Sequence, residues 1–216
     1  MPALISEVIG STQDNVETVR DQIAAILKVE LANQAVLTGQ SQPRVFLERS
    51  NPWGMFLEGS SSEPPIINVW FDTLSYDGAA SNIVERQKAE ATFNVDCYGY
   101  GVSVANDTGH DPGDQRAALE CQRAIRLARR ILMSGHYTYL GLRGTVWKRW
   151  PQTITIFQPQ IDNRAVQGVV GGRLALTAQF NEFSPQVTGD TLETLSVEVR
   201  RAETGELYLR ADYPEE

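Results

Sequence analysis

The chain is 216 residues long, 42% hydrophobic and 21% charged, a composition that can bury a sizeable core in one large domain or a domain with an appendage. Its formal charge is −8, yet residues 116–149 hold eight Lys/Arg and one acid, a local +7 that leaves −15 on the remainder. An acidic balance argues against broad nucleic-acid binding, and the basic strip suggests a local anionic neighbour, such as the acidic surface of another copy.

The opening residues MPALISEVIGSTQD lack a basic stretch followed by a long apolar core, so no secretory signal is expected there. No run approaches the ~18–20 apolar residues of a membrane-spanning helix, and synthesis in a cytoplasm is the expectation. Ser11 or Thr12 is placed to cap a first helix, with Asp14 near its positive end. Val16, Val19, Ile23, Ile26, Leu27 and Leu31 then recur at spacings of three and four, predicting an amphipathic helix that ends near Ala35.

Val45, Phe46 and Leu47 follow a polar turn as a short strand, and Asn51-Pro52-Trp53-Gly54 reads as a turn. Residues 55–57 read as a short strand or packed loop, and residues 59–65 (GSSSEPP) as a flexible connection. The run IINVWFDTLSY at 66–76, rich in β-branched and aromatic residues, predicts a strand. The cleanest alternation lies at 87–100. There Ala89, Ala91, Phe93, Val95 and Cys97 point to a core, while Lys88, Glu90, Thr92, Asn94 and Asp96 point to water. A strand this long leaves room for its polar face to be covered in an assembly.

Residues 113–134 carry the strongest helical signal. Ala117, Cys121, Ala124, Ile125, Ala128, Ile131 and Leu132 form one apolar stripe, and Gly135 stands where a left-handed C-terminal residue would go. The other faces hold Arg116, Arg123, Arg126, Arg129 and Arg130 against Glu120. Two strands are expected near 140–147 and 153–158, broken at Pro151, and another at 173–183 with Leu174, Leu176, Ala178 and Phe180 buried. Leu195, Val197 and Val199 alternate before the turn ETGE and Leu207-Tyr208-Leu209, predicting a hairpin that must dock somewhere, since an isolated one is marginal in water.

Little in this pattern carries chemistry. The loop NDTGHDPGD gathers Asp107, His110, Asp111 and Asp114, and contains the Asp-Thr-Gly of aspartic proteases. Those enzymes need two such aspartates in apolar turns. The loop also lacks the alternating acids and terminal Glu of a Ca²⁺ loop, so it reads as a solvated cap with Asp111 or Asp114 near the helix start. His110 and His136 flank the basic helix, too far apart along it for a shared site. Cys97 and Cys121 lack CxxC spacing and read as small buried hydrophobes. Gly99-Tyr100-Gly101 lacks the third glycine of a dinucleotide fingerprint, and neither GxSxG nor a P-loop occurs. No enzyme activity, metal or cofactor is expected.

Arg123, Arg126 and Arg130 share a side at spacings of three and four. Three readings fit them: a solvated face with internal ion pairs, a contact with acidic faces of neighbouring subunits or the lumen of a ring, and a surface meeting DNA. Trp147, Lys148, Arg149 and Trp150 add an aromatic-basic cluster.

Across residues 12–185, the order RQKAEATFNVDCYGYG, DQRAALECQRAIRLARRIL and GGRLALTAQFNEF resembles the tail-terminator (tail-completion, minor tail protein U-like) family of long-tailed bacteriophages. In that family a strand like 89–100 precedes the central helix and a late strand like 173–183 returns to the sheet. The resemblance implies a mixed or antiparallel sheet flanked by helices. It also implies a hexameric ring that caps the tail tube, stops its polymerisation and joins it to the head. Its partners would be further copies, the tube protein and a head–tail connector, with DNA passing through the ring. Its place would be the virion tail or neck after assembly in the host cytoplasm, with no membrane, cofactor or catalytic residue. The alternative is another head–tail connector, neck or baseplate component; a small enzyme using the 107–114 loop and a nucleic-acid-binding module are the remaining rivals. The expected fold is α+β: a mixed, mainly antiparallel sheet flanked by two long helices over 1–187, and a β-hairpin arm over 188–216.

Overall fold

A computed structural model describes residues 13–54, 56, 64–78, 86–106, 109–159, 168–183, 194–200 and 207–214; for residues 106, 109–111, 194–200 and 207–214 it describes the backbone alone. Helix α1 (Asn15–Thr38) is followed by strands β1 (Arg44–Leu47), β2 (Ile66–Tyr76) and β3 (Arg86–Tyr100). A small ladder of β4 (Val104–Asn106) and β5 (Gly109–Asp111) leads into helix α2 (Gly113–Leu132), and β6 (Val146–Phe157) and β7 (Val169–Phe183) complete the domain. The five-stranded sheet has the order β1-β2-β3-β7-β6, parallel at β1–β2 and antiparallel elsewhere. The fold is therefore α+β, with a mixed, mostly antiparallel sheet. The chain divides into two compact units, residues 12–184 and a second that contains the two-stranded antiparallel ladder of β8 (Thr194–Arg200) and β9 (Leu207–Pro214).

Both helices lie on one face of the sheet, and the core is where their stripes meet it. Val19, Ile23, Ile26, Leu27 and Leu31 of α1 and Ala117, Cys121, Ile125, Ala128 and Leu132 of α2 are buried against Ala91, Phe93, Val95, Leu174, Leu176 and Phe180. These are the residues whose periodicity marks them in the sequence. Helix α2 comes close to β3 because glycine lines the contact. A Cβ at Gly99 would fall on the Ala117 carbonyl and the Cys121 amide, and one at Gly101 on the start of the helix. The Gly99/Gly101 pair thus serves close packing. Cys97 and Cys121 are free and buried in this seam, and the Cys121 Sγ donates to the Cys97 carbonyl at 3.1 Å. Burial pushes the Cys121 thiol up to about 12 and raises the Cys97 thiol well above its ordinary value, so both remain protonated at neutral pH.

Four boundaries differ from the sequence expectation. The cap of α1 is Asp14, with Glu17 three residues on accepting the Asp14 amide at 3.3 Å; Ser11 and Thr12 lie outside the described residues. The helix continues to Thr38 because Gly39, at φ 66°, supplies the left-handed stop; the apolar stripe ends sooner, at Leu31, which leaves Val36 and Leu37 84% and 76% exposed. Gly135 is not a left-handed cap: α2 passes through Met133 (φ −95°, ψ 5°) into a 3₁₀ turn over Gly135–Tyr137. Residues 146–157 form one strand rather than two, because on the outer edge of a sheet a proline need not end the ladder; register shifts fall after Val146 and Pro151. Residues 140–145 are turns.

The start of α1 is held by the end of β7. Glu182 accepts the Val16 amide at 2.6 Å and the Asn15 amide at 3.2 Å, while the Asn15 side chain donates to the Asn181 carbonyl at 2.6 Å. Burial raises the Glu182 carboxyl above its ordinary range, outweighing the two amide bonds that lower it. A raised folded-state pKa means that the folded protein binds this proton more tightly. Its contribution to stability is full below the unfolded value and declines as pH rises through the folded one. Glu182→Gln is expected to flatten that part of the stability–pH curve in urea unfolding. Glu182→Ala, which leaves two helix amides without an acceptor, is expected to lower stability by about 1–2 kcal/mol near neutral pH.

Candidate functional site

The stripe of α2 is turned inward, so its arginines stand on the outside. Arg116, Arg123, Arg126, Arg129 and Arg130 are all exposed. Arg123 pairs with Glu120 one turn away at 2.5 Å and keeps 64% of its side chain in water. Among the described residues Arg126 and Arg130 make no ion pair. Of the readings left open by the sequence, an internally paired face accounts for Arg123 alone.

Arg123, Arg126 and Arg130 line one side of a groove of about 450 Å³ between α2 and the last turns of α1. Its lining is mixed: Ala35 of α1 and Leu127 of α2 give it apolar surface over the buried Leu31 and Ala124, beside the polar Gln34, Thr38 and Glu120. Val36 and Leu37, on the same last turn of α1, are exposed and take no part in the lining, which resumes at Thr38. Guanidinium groups beside a mixed polar and apolar lining suit an acidic segment that also carries apolar side chains.

Arg149 has a different role from the one its neighbours suggest. Its Nε donates to the Leu132 carbonyl at 2.7 Å, Nη2 to Ser134 at 2.8 Å and Nη1 to Thr138 at 3.0 Å. One guanidinium thus closes the carbonyl end of α2 and the following turn, the task the sequence assigned to Gly135. The aromatic-basic cluster is dispersed accordingly: Lys148 lies over Trp150 at 4.9 Å, while Trp147 is met by Lys88 at 5.5 Å.

On the face of the sheet without helices, a second cleft of about 410 Å³ centres on Asp96. Asp96 is 3% exposed and accepts Arg173 Nε at 2.7 Å, Arg173 Nη2 at 3.0 Å, the Trp70 indole at 2.9 Å and the Tyr98 hydroxyl at 3.4 Å. The Arg173 guanidinium lies between the rings of Trp70 (4.7 Å) and Phe157 (5.6 Å). Burial, and then the Asp96 charge, raise the Tyr98 hydroxyl well above its ordinary value. Alternation alone sends Asp96 to water, and the structure corrects this: Asn94 and Asp96 are buried within the monomer. The missed signal was cross-strand register, which sets Asp96 opposite Arg173.

Asp107 lies outside the described residues, as do the side chains of His110 and Asp111. Asp114 sits in the first turn of α2 and accepts the Gln115 amide at 2.9 Å, while the Gly113 amide donates to Ser103 Oγ at 2.9 Å. His136 is exposed against the edge of Tyr137. Among the described residues, no three His, Cys, Asp or Glu side chains gather as a metal-binding group. No described helix is long and apolar enough to cross a membrane. No protein-family model matches the chain, nor does any curated protein.

Two measurements follow from the buried polar contacts. Arg173→Ala leaves the Asp96 carboxylate buried and short of its two best donors. Because 37% of the Arg173 side chain is in water, the loss is expected at roughly 2–3 kcal/mol, below that of a fully buried pair. Arg173→Ala/Asp96→Ala should lose less than the sum of the single changes in a double-mutant cycle. Arg149→Ala is expected to lower stability by roughly 2–3 kcal/mol in chemical unfolding, and Arg149→Lys to recover only part, since an ammonium cannot span three carbonyls.

Proposed function

We propose that the chain is a structural virion protein that caps a phage tail tube as a closed ring, ends tube growth and offers the surface for head joining. It acts by shape, without cofactor or catalysis. The observation that carries the reading is the row of Arg126 and Arg130, without an ion-pair partner among the described residues, beside a groove on the helix layer. The strands and helix that carry the resemblance, 86–100, 113–132 and 169–183, also adjoin one another in one sheet-and-helix layer, as that family's fold requires.

Ring formation needs an interface whose two sides differ and whose rotation closes. A surface with +7 on residues 116–149 and −15 elsewhere supplies two unlike sides, and such complementarity fixes orientation more than raw affinity. The arginine row is assigned to the contact between copies or to the lumen, where DNA passes.

Light scattering at several protein concentrations, in low and high salt, is expected to give a discrete species near six chains, with an open centre in negative-stain images. Open-ended polymers would instead favour a tube or baseplate component. A strict monomer that also fails to bind isolated tail tubes would overturn the ring. Alanine at Asp107, His110 and Asp111 is expected to leave the mass unchanged; loss of a measurable hydrolytic activity on those changes would favour an enzyme.

A further inference from the structure

The ring reading leaves open what fills the groove, and the following rests on that reading. We propose that the groove between α1 and α2 of one copy receives the acidic C-terminal hairpin stretch, residues 190–216, of the next. Three observations meet here. The groove offers apolar surface at Ala35 and Leu127 beside Arg123, Arg126 and Arg130, and of these arginines only Arg123 has an acid beside it among the described residues. Residues 190–216 hold eight acids and three arginines, with Leu195, Val197, Val199, Leu207, Leu209 and Tyr213 interleaved. That composition matches both the arginines and the apolar part of the groove's lining.

The third observation is thermodynamic. Among the described residues β8 and β9 pair only with each other, and a two-stranded hairpin is of marginal stability unless it packs on a further surface. Donor and acceptor are different parts of the chain, so each copy presents one of each. The contact is head-to-tail and self-propagating until the rotation closes. Guanidinium groups suit the role because they pair with carboxylates in two parallel bonds while their planar faces lie on apolar surface. The interaction is also salt-sensitive, since Arg123 is 64% exposed at the groove's rim.

The test uses three full-length variants: a groove variant, Arg126→Glu/Arg130→Glu; an arm variant, Glu203→Lys/Glu206→Lys/Asp212→Lys/Glu215→Lys; and the two sets combined. Their masses are compared with the wild type by light scattering, and their folding is checked by circular dichroism. Each single set is expected to give monomers, a mixture of the two to give a mixed assembly of wild-type mass with the two chains alternating in equal numbers, and the combined chain to assemble again through the reversed pair. A labelled peptide of residues 190–216 is titrated onto the arm variant, whose groove is intact. It is expected to bind, weakening about tenfold or more between low and high salt, and to lose binding when Arg126 and Arg130 are also reversed. Single variants that assemble like the wild type would overturn the proposal and leave the ring standing. Failure of the peptide to bind the folded arm variant would do the same. A wild type that stays monomeric while the arm variant binds the peptide would instead overturn the ring reading together with the contact between copies, placing the arm in the groove of its own chain.

Discussion

The closeness of α2 to β3 is the constraint on which the rest of this structure depends. Gly99 on the strand, Gly101 just past its end and Gly113, Ala117 and Cys121 on the helix remove the side-chain bulk that would hold the two backbones apart. With that seam closed, the rotation of α2 about its axis is fixed: the small-residue stripe faces the sheet and nothing else can. The arginines are outside because their positions in the 3.6-residue repeat leave them nowhere else. The same seam excludes water from Cys97 and Cys121 and keeps their thiols neutral. A basic surface and an inert pair of cysteines are thus two results of one packing decision.

The ends of the helices are fixed by side chains that arrive from the sheet. Glu182, at the end of β7, meets the amide end of α1, and Arg149, on β6, meets the carbonyl end of α2. Each charge has the sign that the helix end calls for. Neither contact is local in sequence: Glu182 lies 167 residues from Asn15, and Arg149 is 17 residues from Leu132. Helix termini that local signals leave undecided are set by tertiary partners.

This explains which parts of the fold were legible beforehand. The stripes of α1 and α2 and the buried faces of β3 and β7 depend only on periodicity, and Val19, Phe93, Ile125 and Leu176 are where that periodicity puts them. The cap at Asp14 and the stop after Leu132 depend on geometry or on distant residues, so Thr12 and Gly135 were reasonable but wrong choices. Asp96 is the instructive case. Alternation correctly turns it away from the helices, but alternation cannot say that Trp70, Tyr98 and Arg173 would enclose it there. The arginine row was legible as a row; the groove beside it was not, because it forms where α1 outlasts its own apolar stripe.

One feature of the sheet restricts how copies of this chain could meet. Strand β6 forms one border of the sheet, and it carries Pro151 and two interruptions of register; β1 forms the other border and is four residues long. A proline offers no amide hydrogen, and a broken register breaks the row of evenly spaced donors and acceptors that another strand would copy. The borders are therefore poor templates for backbone pairing, and a chain built this way resists fusing into an endless ribbon. Any contact between copies through these borders would be left to side chains, which recognise a fixed geometry and stop when it is satisfied.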